Sequence, residues 1–371
     1  MEFGIMFFSS TEQVETGDPY YLLKEAARFA DQHQFCCIWT PERHFHQFGG
    51  LFPNPSVLSA ALATITERIQ IRAGSLISPL HNTIRVAEDW AVVDNLSAGR
   101  VAISFGSGWN VDDFVLFPDH YGCRQQVMYG QIAMIQDLWR GKPLQQINPQ
   151  GKEISVQIFP RPRQPELPVW ITSSGNIETF RSAGLAGANL LTHLLGQDIA
   201  SLAHKIAVYR QARGQTGLDP KTGIVSLMLH TYLGAELEWV KALVRLPFRQ
   251  YLRSAVALEQ KSAQNGGVIS GGKEIEVEEI SASAMEELLD LAFERYFSTA
   301  ALLGTPSSCM DLVRELEETG VNEIACLLDF GLETSHILEG LKYLDNLRAA
   351  CSGDALAEAV QQSVQEFNAE F

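Results

Sequence analysis

Ile69–Ile77 reads IQIRAGSLI, His81–Leu96 reads HNTIRVAEDWAVVDNL and Val101–Phe105 reads VAISF, and this succession decides the fold. The first and last segments are short apolar runs of strand length. The middle one sets Ile84, Ala87, Ala91 and Val92 on one side of a helix that Gly99 terminates. Two apolar strands joined by an amphipathic helix predict a βαβ unit, whose strands lie parallel.

The same alternation extends in both directions. Upstream, Glu2–Phe8 and Phe35–Trp39 read as strands. Asp18-Pro19 caps a helix with Leu22, Leu23, Ala26, Phe29 and Ala30 on one face, and Asn54-Pro55 opens another through Leu58, Leu62 and Ile65. Downstream, strands are expected at Val169–Thr172, Asn189–Thr192, Ile224–Tyr232 and Glu323–Leu328. Helices are expected at Gln125–Leu138, Ile177–Ala183, Asp198–Arg213, Pro306–Glu318 and Ser335–Leu347. Eight strands, mostly followed by helices, predict an α/β chain closed into a (β/α)8 TIM barrel; an open doubly wound sheet is the alternative pattern.

Two stretches interrupt the rhythm. Gly141–Pro165, rich in Gly, Pro, Gln and Arg, reads as an insertion carrying a small hairpin. Residues 235–303, with a basic-aromatic segment, Asn265-Gly266-Gly267 and Gly271-Gly272, follow the seventh strand and read as a lid. The expected organisation is one barrel domain over 1–350 and a tail or linker over 351–371.

Composition narrows the function classes. Of 371 residues, 46% are hydrophobic and 19% charged, enough apolar material for a large core. The net charge of −16 argues against nucleic acid or an anionic membrane as partner. Cys36, Cys37, Cys123, Cys309, Cys326 and Cys351 form no CxxC pair, so reduced buried thiols are expected and neither a zinc site nor a disulfide framework. With no signal peptide or long apolar run, a cytoplasmic location is the expectation.

In such barrels chemistry sits just beyond the C-terminal ends of strands, and three segments there stand out. Trp39-Thr40-Pro41-Glu42-Arg43-His44-Phe45-His46 follows the second strand. Glu42, His44 and His46 suit metal ligands, but no further ligand cluster accompanies them, so no metal is assigned. His44 suits proton transfer near neutrality, while an Arg43–Glu42 ion pair with packed histidines reads the same residues structurally. Ser104-Phe105-Gly106-Ser107-Gly108-Trp109-Asn110 follows the fourth strand: its glycines permit close backbone approach and Trp109 offers a flat surface, or the run is a tight turn. Thr172-Ser173-Ser174-Gly175-Asn176 precedes a helix and reads as a phosphate site or as an ordinary N-cap. Together, at one barrel mouth, they suggest a phosphorylated cofactor with a planar ring.

At these residues the chain resembles the bacterial luciferase-like flavin monooxygenases, and among them the natural-product-biosynthesis branch typified by the mupirocin-pathway enzyme. The resemblance runs from Glu2-Phe3-Gly4 to about Leu347. Its most specific part is Pro53-Asn54-Pro55, Ala87-Glu88-Asp89, Asp94 and Ser97-Ala98-Gly99-Arg100, and Gly106–Asn110 and Gly304-Thr305-Pro306 match the wider superfamily. It implies FMN as cofactor, with the phosphate on Ser173, Ser174, Gly175 and Asn176. The isoalloxazine would lie near Gly74, Ser75, Ser104, Gly106, Trp109 and Asn110. It also implies a non-prolyl cis peptide at Gly74-Ser75. Luciferases commonly carry Glu-His-His after the second strand, where this chain has Glu42-Arg43-His44. Acid–base work is therefore carried over to His44, with Arg43 as a group for an acidic substrate or the oxygenated flavin.

The implied activity is oxygenation of a small or carrier-protein-tethered substrate by reduced FMN and dioxygen through a flavin 4a-hydroperoxide. No Gly-x-Gly-x-x-Gly follows a strand, so a separate flavin reductase is expected to supply the reduced cofactor. A dehydrogenase using FMN or a deazaflavin and a non-catalytic flavin-binding protein are the alternatives. A homodimer is the expected assembly. For an acidic carrier, Arg245, Arg249 and Arg253 are the dense basic candidates, or else a solvated helix face.

Overall fold

The computed structural model describes residues 1–8, 17–264 and 282–352. Its strands, in chain order, are β1 (Glu2–Met6), β2 (Cys37–Thr40), β3 (Gln70–Ile77), β4 (Val101–Gly106), β5 (Leu144–Ile147), β6 (Glu153–Val156), β7 (Val169–Thr172), β8 (Asn189–His193), β9 (Val225–Leu233), β10 (Leu302–Gly304) and β11 (Glu323–Leu327). Its helices are α1 (Tyr21–Gln32), α2 (Pro55–Ala63), α3 (Thr83–Leu96), α4 (Arg124–Arg140), α5 (Ile177–Leu185), α6 (Ile199–Gln215), α7 (Leu237–Gln264), α8 (Ala282–Thr299), α9 (Pro306–Glu318) and α10 (Thr334–Ser352).

Eight parallel strands close the barrel in the order β1-β2-β3-β4-β7-β8-β9-β11, with β11 returning to β1. Every residue of β2, β4, β9 and β11 is buried, as expected of parallel strands covered by helices on the outside and side-chain layers within. The β3–β4 register slips between Gly74 and Leu76, where the Gly74–Ser75 peptide is cis. Packing is tight there: a Cβ on Gly74 would fall 2.8 Å from the Trp39 ring.

The insertion after α4 is the antiparallel hairpin β5–β6. The 235–303 segment is not a long loop: α7 and α8 take up most of it, and β10 adds a short strand beside the end of β9. The Asn265-Gly266-Gly267 and Gly271-Gly272 runs lie outside the described residues, as does the chain beyond Ser352. Arg245, Arg249 and Arg253 face α8, where Glu286, Asp290 and Glu294 pair with them, Arg245 to Asp290 at 2.9 Å. They do not form a free basic patch.

In α3 the apolar side is displaced from the expected one. Ala87 and Ala91 are buried, but Trp90 and Val93 pack inward while Val92 is 43% exposed, because the barrel-facing stripe follows Val86-Ala87-Trp90-Ala91-Val93-Asp94. Cys123 is exposed rather than buried. Among the described residues no helix is long and apolar enough to cross a membrane.

The N-terminal end of the barrel is closed by polar groups that satisfy one another. Arg72 donates to both Glu323 oxygens (2.8 and 2.9 Å), and Ser226 Oγ donates to Glu323 and accepts from the Trp170 indole. The Arg72 guanidinium lies against the Trp39 and Trp170 rings. Nearby, Asp94 accepts from the Arg163 and Gln164 amides, and Arg100 donates to the Thr66 and Ile69 carbonyls. The most specific part of the resemblance thus includes scaffold contacts remote from the barrel mouth.

Candidate active site

Glu42, two residues past β2, is the hub of the barrel mouth. Its side chain is fully enclosed; Oε1 accepts from His44 Nε2 (2.8 Å) and His81 Nε2 (2.5 Å), and Oε2 accepts from the Ile77 amide (2.7 Å). An ionised carboxylate only accepts, so both imidazoles carry a proton on Nε2. Burial alone would raise the Glu42 carboxyl, but the hydrogen bonds from His44 and His81 outweigh it and hold it below the ordinary glutamate value. Burial likewise opposes protonation of His44, and the bond to Glu42 overcomes it, so the His44 pKa is raised. The arrangement is an imidazole of fixed tautomer with tuned basicity, what proton transfer beside a substrate requires.

The Arg43–Glu42 ion pair does not form, because the two histidines take the Glu42 carboxylate. Arg43 turns away: its guanidinium lies 3.8 Å from the Phe8 ring centre and 5.1 Å from that of Phe48. Its Nε is shut off from solvent without a hydrogen-bond partner. His46 accepts from the Phe48 amide and shapes the loop instead of joining Glu42.

Asp113, in the helical turn after β4, accepts from Asn110 Nδ2 (2.7 Å). Burial lifts its pKa to about 6, against the opposing pull of His44, Asn110 and Arg43. The assigned Asn110 thus orients a second titratable group. Trp109 is half-buried beside it. Gly106 ends β4 where a Cβ would meet Ile77 and Ser75 at 2.9 and 3.4 Å, and Gly108 has φ +81°.

Ser75 and Ser104 are joined through Thr172. Thr172 Oγ1 donates to Ser75 Oγ (2.8 Å), so the 2.6 Å contact with Ser104 is donated by Ser104. This hydroxyl chain crosses the ends of β3, β4 and β7. Farther along β7's loop, Ser173 is buried, Ser174 is exposed, Gly175 has φ +106°, and Asn176 caps α5 by accepting from the Glu178 amide. The N-cap reading therefore holds at Asn176. Nothing among the described residues accepts from the Ser174 or Asn176 amides. A Cβ on Gly175 would lie 3.5 Å from Lys205 Nζ, which donates to Gln197 (2.6 Å). Two available amides, small hydroxyl residues, a helix N-terminus and an adjacent ammonium fit a phosphate.

His193, half-buried at the end of β8, and His230, buried on β9, have pKa values pushed down to about 4 and about 3 by desolvation. His230 is ringed by Phe248, Tyr251 and Phe330, and its Nε2 has no partner. Phe248 and Tyr251 come from α7, so the 235–303 segment forms one wall of this region. Among the described residues, the His/Cys/Asp/Glu grouping that could hold a metal, Cys36, Cys37 and Glu323, lies at the opposite end of the barrel, where Arg72 already neutralises Glu323.

His81, Asp113, Lys205, His230 and Tyr251 join this region without having been assigned to it from the sequence, and Thr172, placed at the mouth only as the start of a phosphate-site run, adds the hydroxyl link. Thr172 had a signal, its place in the Thr-Ser-Ser-Gly-Asn run at a strand end. His81 had none, since it is 39 residues from Glu42 and reads as the start of α3.

A family model described as luciferase-like monooxygenase matches residues 1–323. The alkanal monooxygenase alpha chain of Photorhabdus luminescens is 19% identical over 342 residues, covering 90% of each chain. Among solved structures, monooxygenase RslO1 of Streptomyces bottropensis superposes with a TM-score of 0.72 at 20% identity, covering 93% of this chain and 98% of its own. The FMN-bound oxygenating constituent of 3,6-diketocamphane monooxygenase from Pseudomonas putida gives 0.71 at 15%, covering 93% and 96%. An F420-dependent secondary alcohol dehydrogenase gives 0.67 at 16%, covering 94% and 99%.

Proposed function

Given that this chain belongs to the luciferase-like monooxygenase family, we propose that it binds reduced FMN and uses dioxygen to oxygenate a small organic substrate. The observation that carries this reading is the pairing, at one barrel mouth, of a phosphate cradle at Ser173–Asn176 with the Glu42-linked His44 and His81. Reduced FMN, when bound, supplies the electrons that activate dioxygen. Ser174 and Asn176 amides with Lys205 would hold its phosphate. The Ser75–Thr172–Ser104 hydroxyls would meet its polar ring edge, and Trp109 its flat face.

The protein's own contribution is placement, proton handling and exclusion of water. His44 exchanges a proton through Nδ1 while Glu42 steadies the positive charge on the ring. Asp113, with a pKa near 6, is placed to take up or return a proton near neutrality. The aromatic wall from α7 shields the mouth. A separate reductase, a substrate from natural-product biosynthesis (free or carrier-tethered) and a homodimeric assembly belong to the same reading and rest on the sequence resemblance.

Rapid mixing of the protein–reduced FMN complex with aerated buffer tests the proposal. A transient absorbing species distinct from reduced and oxidised FMN, longer-lived than in free flavin, supports it. Tight binding of a deazaflavin in place of FMN, with substrate oxidation and no oxygen consumed, overturns it in favour of a dehydrogenase.

A further inference from the structure

Arg43 is an anomaly at this mouth. A cation in a largely enclosed position is costly unless paired, and among the described residues no carboxylate lies within ion-pair distance of it. The nearby acids are engaged elsewhere: Asp329 accepts from the Phe8 amide at 2.8 and 3.1 Å, and Asp113 accepts from Asn110. Both act on Arg43 only through space.

The surroundings hold the guanidinium in one pose. Phe8 and Phe48 lie against it, and Phe48 in turn contacts Tyr251 of α7 at 5.4 Å between ring centres. Gly49, with φ +82°, leaves the space the arginine stem occupies, since a Cβ there would fall 2.1 Å from Arg43 Cδ. Arg43 turns away from Glu42, but Asp113 is acted on through space by both His44 and Arg43, so the guanidinium borders the proton-transfer cluster. The phosphate cradle, by contrast, lies across the mouth at the ends of β7 and β8, with Lys205 as its own cation. A planar guanidinium held in one pose, with no carboxylate of the described residues on it, matches an incoming carboxylate, which it can grip through two parallel hydrogen bonds.

We propose that Arg43 is the receptor for a carboxylate on the substrate, so that the molecule oxygenated here is an organic acid with an apolar body lying along Phe8, Phe48 and Tyr251. The oxygenation itself rests on the FMN reading above; recognition of the carboxylate does not. Arg43 acts as a positioning residue, holding the acid so that its body is presented to His44.

The test is calorimetric titration of the apo and FMN-loaded full chain with octanoate and benzoate, each against its neutral amide. The wild type should bind each carboxylate at least tenfold more tightly than the amide. Arg43→Met should cost the carboxylates roughly 30-fold or more, the scale of removing one partner from an enclosed charge pair. Arg43→Lys should retain part of the preference, and amide and FMN binding should stay unchanged in both variants. Circular dichroism verifies folding, and the wild-type comparison of acid with amide needs no variant. Absence of a carboxylate preference in the wild type overturns the proposal, as does a preference that survives Arg43→Met. So does a loss of FMN affinity in Arg43→Met, which would assign the guanidinium to the cofactor. If the rapid-mixing experiment fails while the carboxylate preference holds, the oxygenase reading falls and Arg43's role stands.

Discussion

The two ends of this barrel solve opposite problems with the same residue types. At the N-terminal end, Arg72, Glu323, Ser226 and Trp170 form a closed set in which each donor has an acceptor. At the C-terminal mouth, Arg43 Nε and His230 Nε2 are enclosed with no partner, and Asp113 carries a pKa displaced towards neutrality. A buried charge that is paired holds strands in register; one left unpaired is poised for something that arrives from outside. The difference separates scaffold from site.

The sharpest way to break the contrast is Glu323→Gln. It strands Arg72 in the barrel interior and should cost about 3–5 kcal/mol in urea unfolding, with flavin binding by the folded fraction unaltered. A much smaller loss would show that the N-terminal network is not the structural member of the pair.

Next comes Glu42→Gln. Without the carboxylate, only the more distant charge of Asp113 still opposes the burial of His44, so its pKa should fall below the wild-type value in an NMR titration. Turnover should drop by about 100-fold if His44 transfers the proton. The sign follows from the raised His44 pKa: the Glu42–His44 pair stabilises the fold fully below the ordinary histidine value of 6.5. That contribution is lost as pH rises through the higher folded value. An unmoved His44 titration in the variant would break the assignment of Glu42 as hub.

Asp113→Asn sharpens the comparison through pH. The folded protein holds the Asp113 proton up to about pH 6, whereas the ordinary value is 3.8. Wild-type stability should therefore decline as pH rises from about 4 to 6, and the variant's melting temperature should decline less over that window. Equal slopes would remove Asp113 from the set of strained mouth residues. The smallest effect is expected at Arg245→Ala on the exposed face of the α7–α8 pair. Losing its contacts to Asp290 and Glu294 should change stability by less than about 1 kcal/mol. A larger value would show that the hairpin depends on this ion-pair ladder more than on the buried Phe248, Leu252 and Phe293.

The strand–helix alternation was legible because the barrel strands are largely buried on both faces and the helices around them on one, and burial writes itself into sequence as runs and periods. The error at Val92 shows the limit of that signal: a helix with apolar residues on several sides does not declare which side the barrel takes. The 235–303 segment broke the strand–helix rhythm for a different reason. Charged and aromatic residues at helical spacing there serve α7–α8 pairing and the wall of the mouth, not a loop.

For the site, local grammar was enough for Asn176 as a cap and for the small-residue loops, because each depends on neighbours within a few positions, whereas the Gly74–Ser75 cis peptide was implied by the family resemblance alone. The amino-acid sequence by itself determined the eight strands, their parallel direction and the loops at their ends, while closure into a barrel was read off the folded sheet. Only the tertiary structure decided that Glu42 would bind His44 and His81 rather than Arg43, and that Thr172 would link Ser75 to Ser104. Tyr251 and His230 likewise meet only in the folded chain. Barrel closure brings residues tens to hundreds of positions apart within 3 Å, and competition for one carboxylate is settled by which donors that closure delivers.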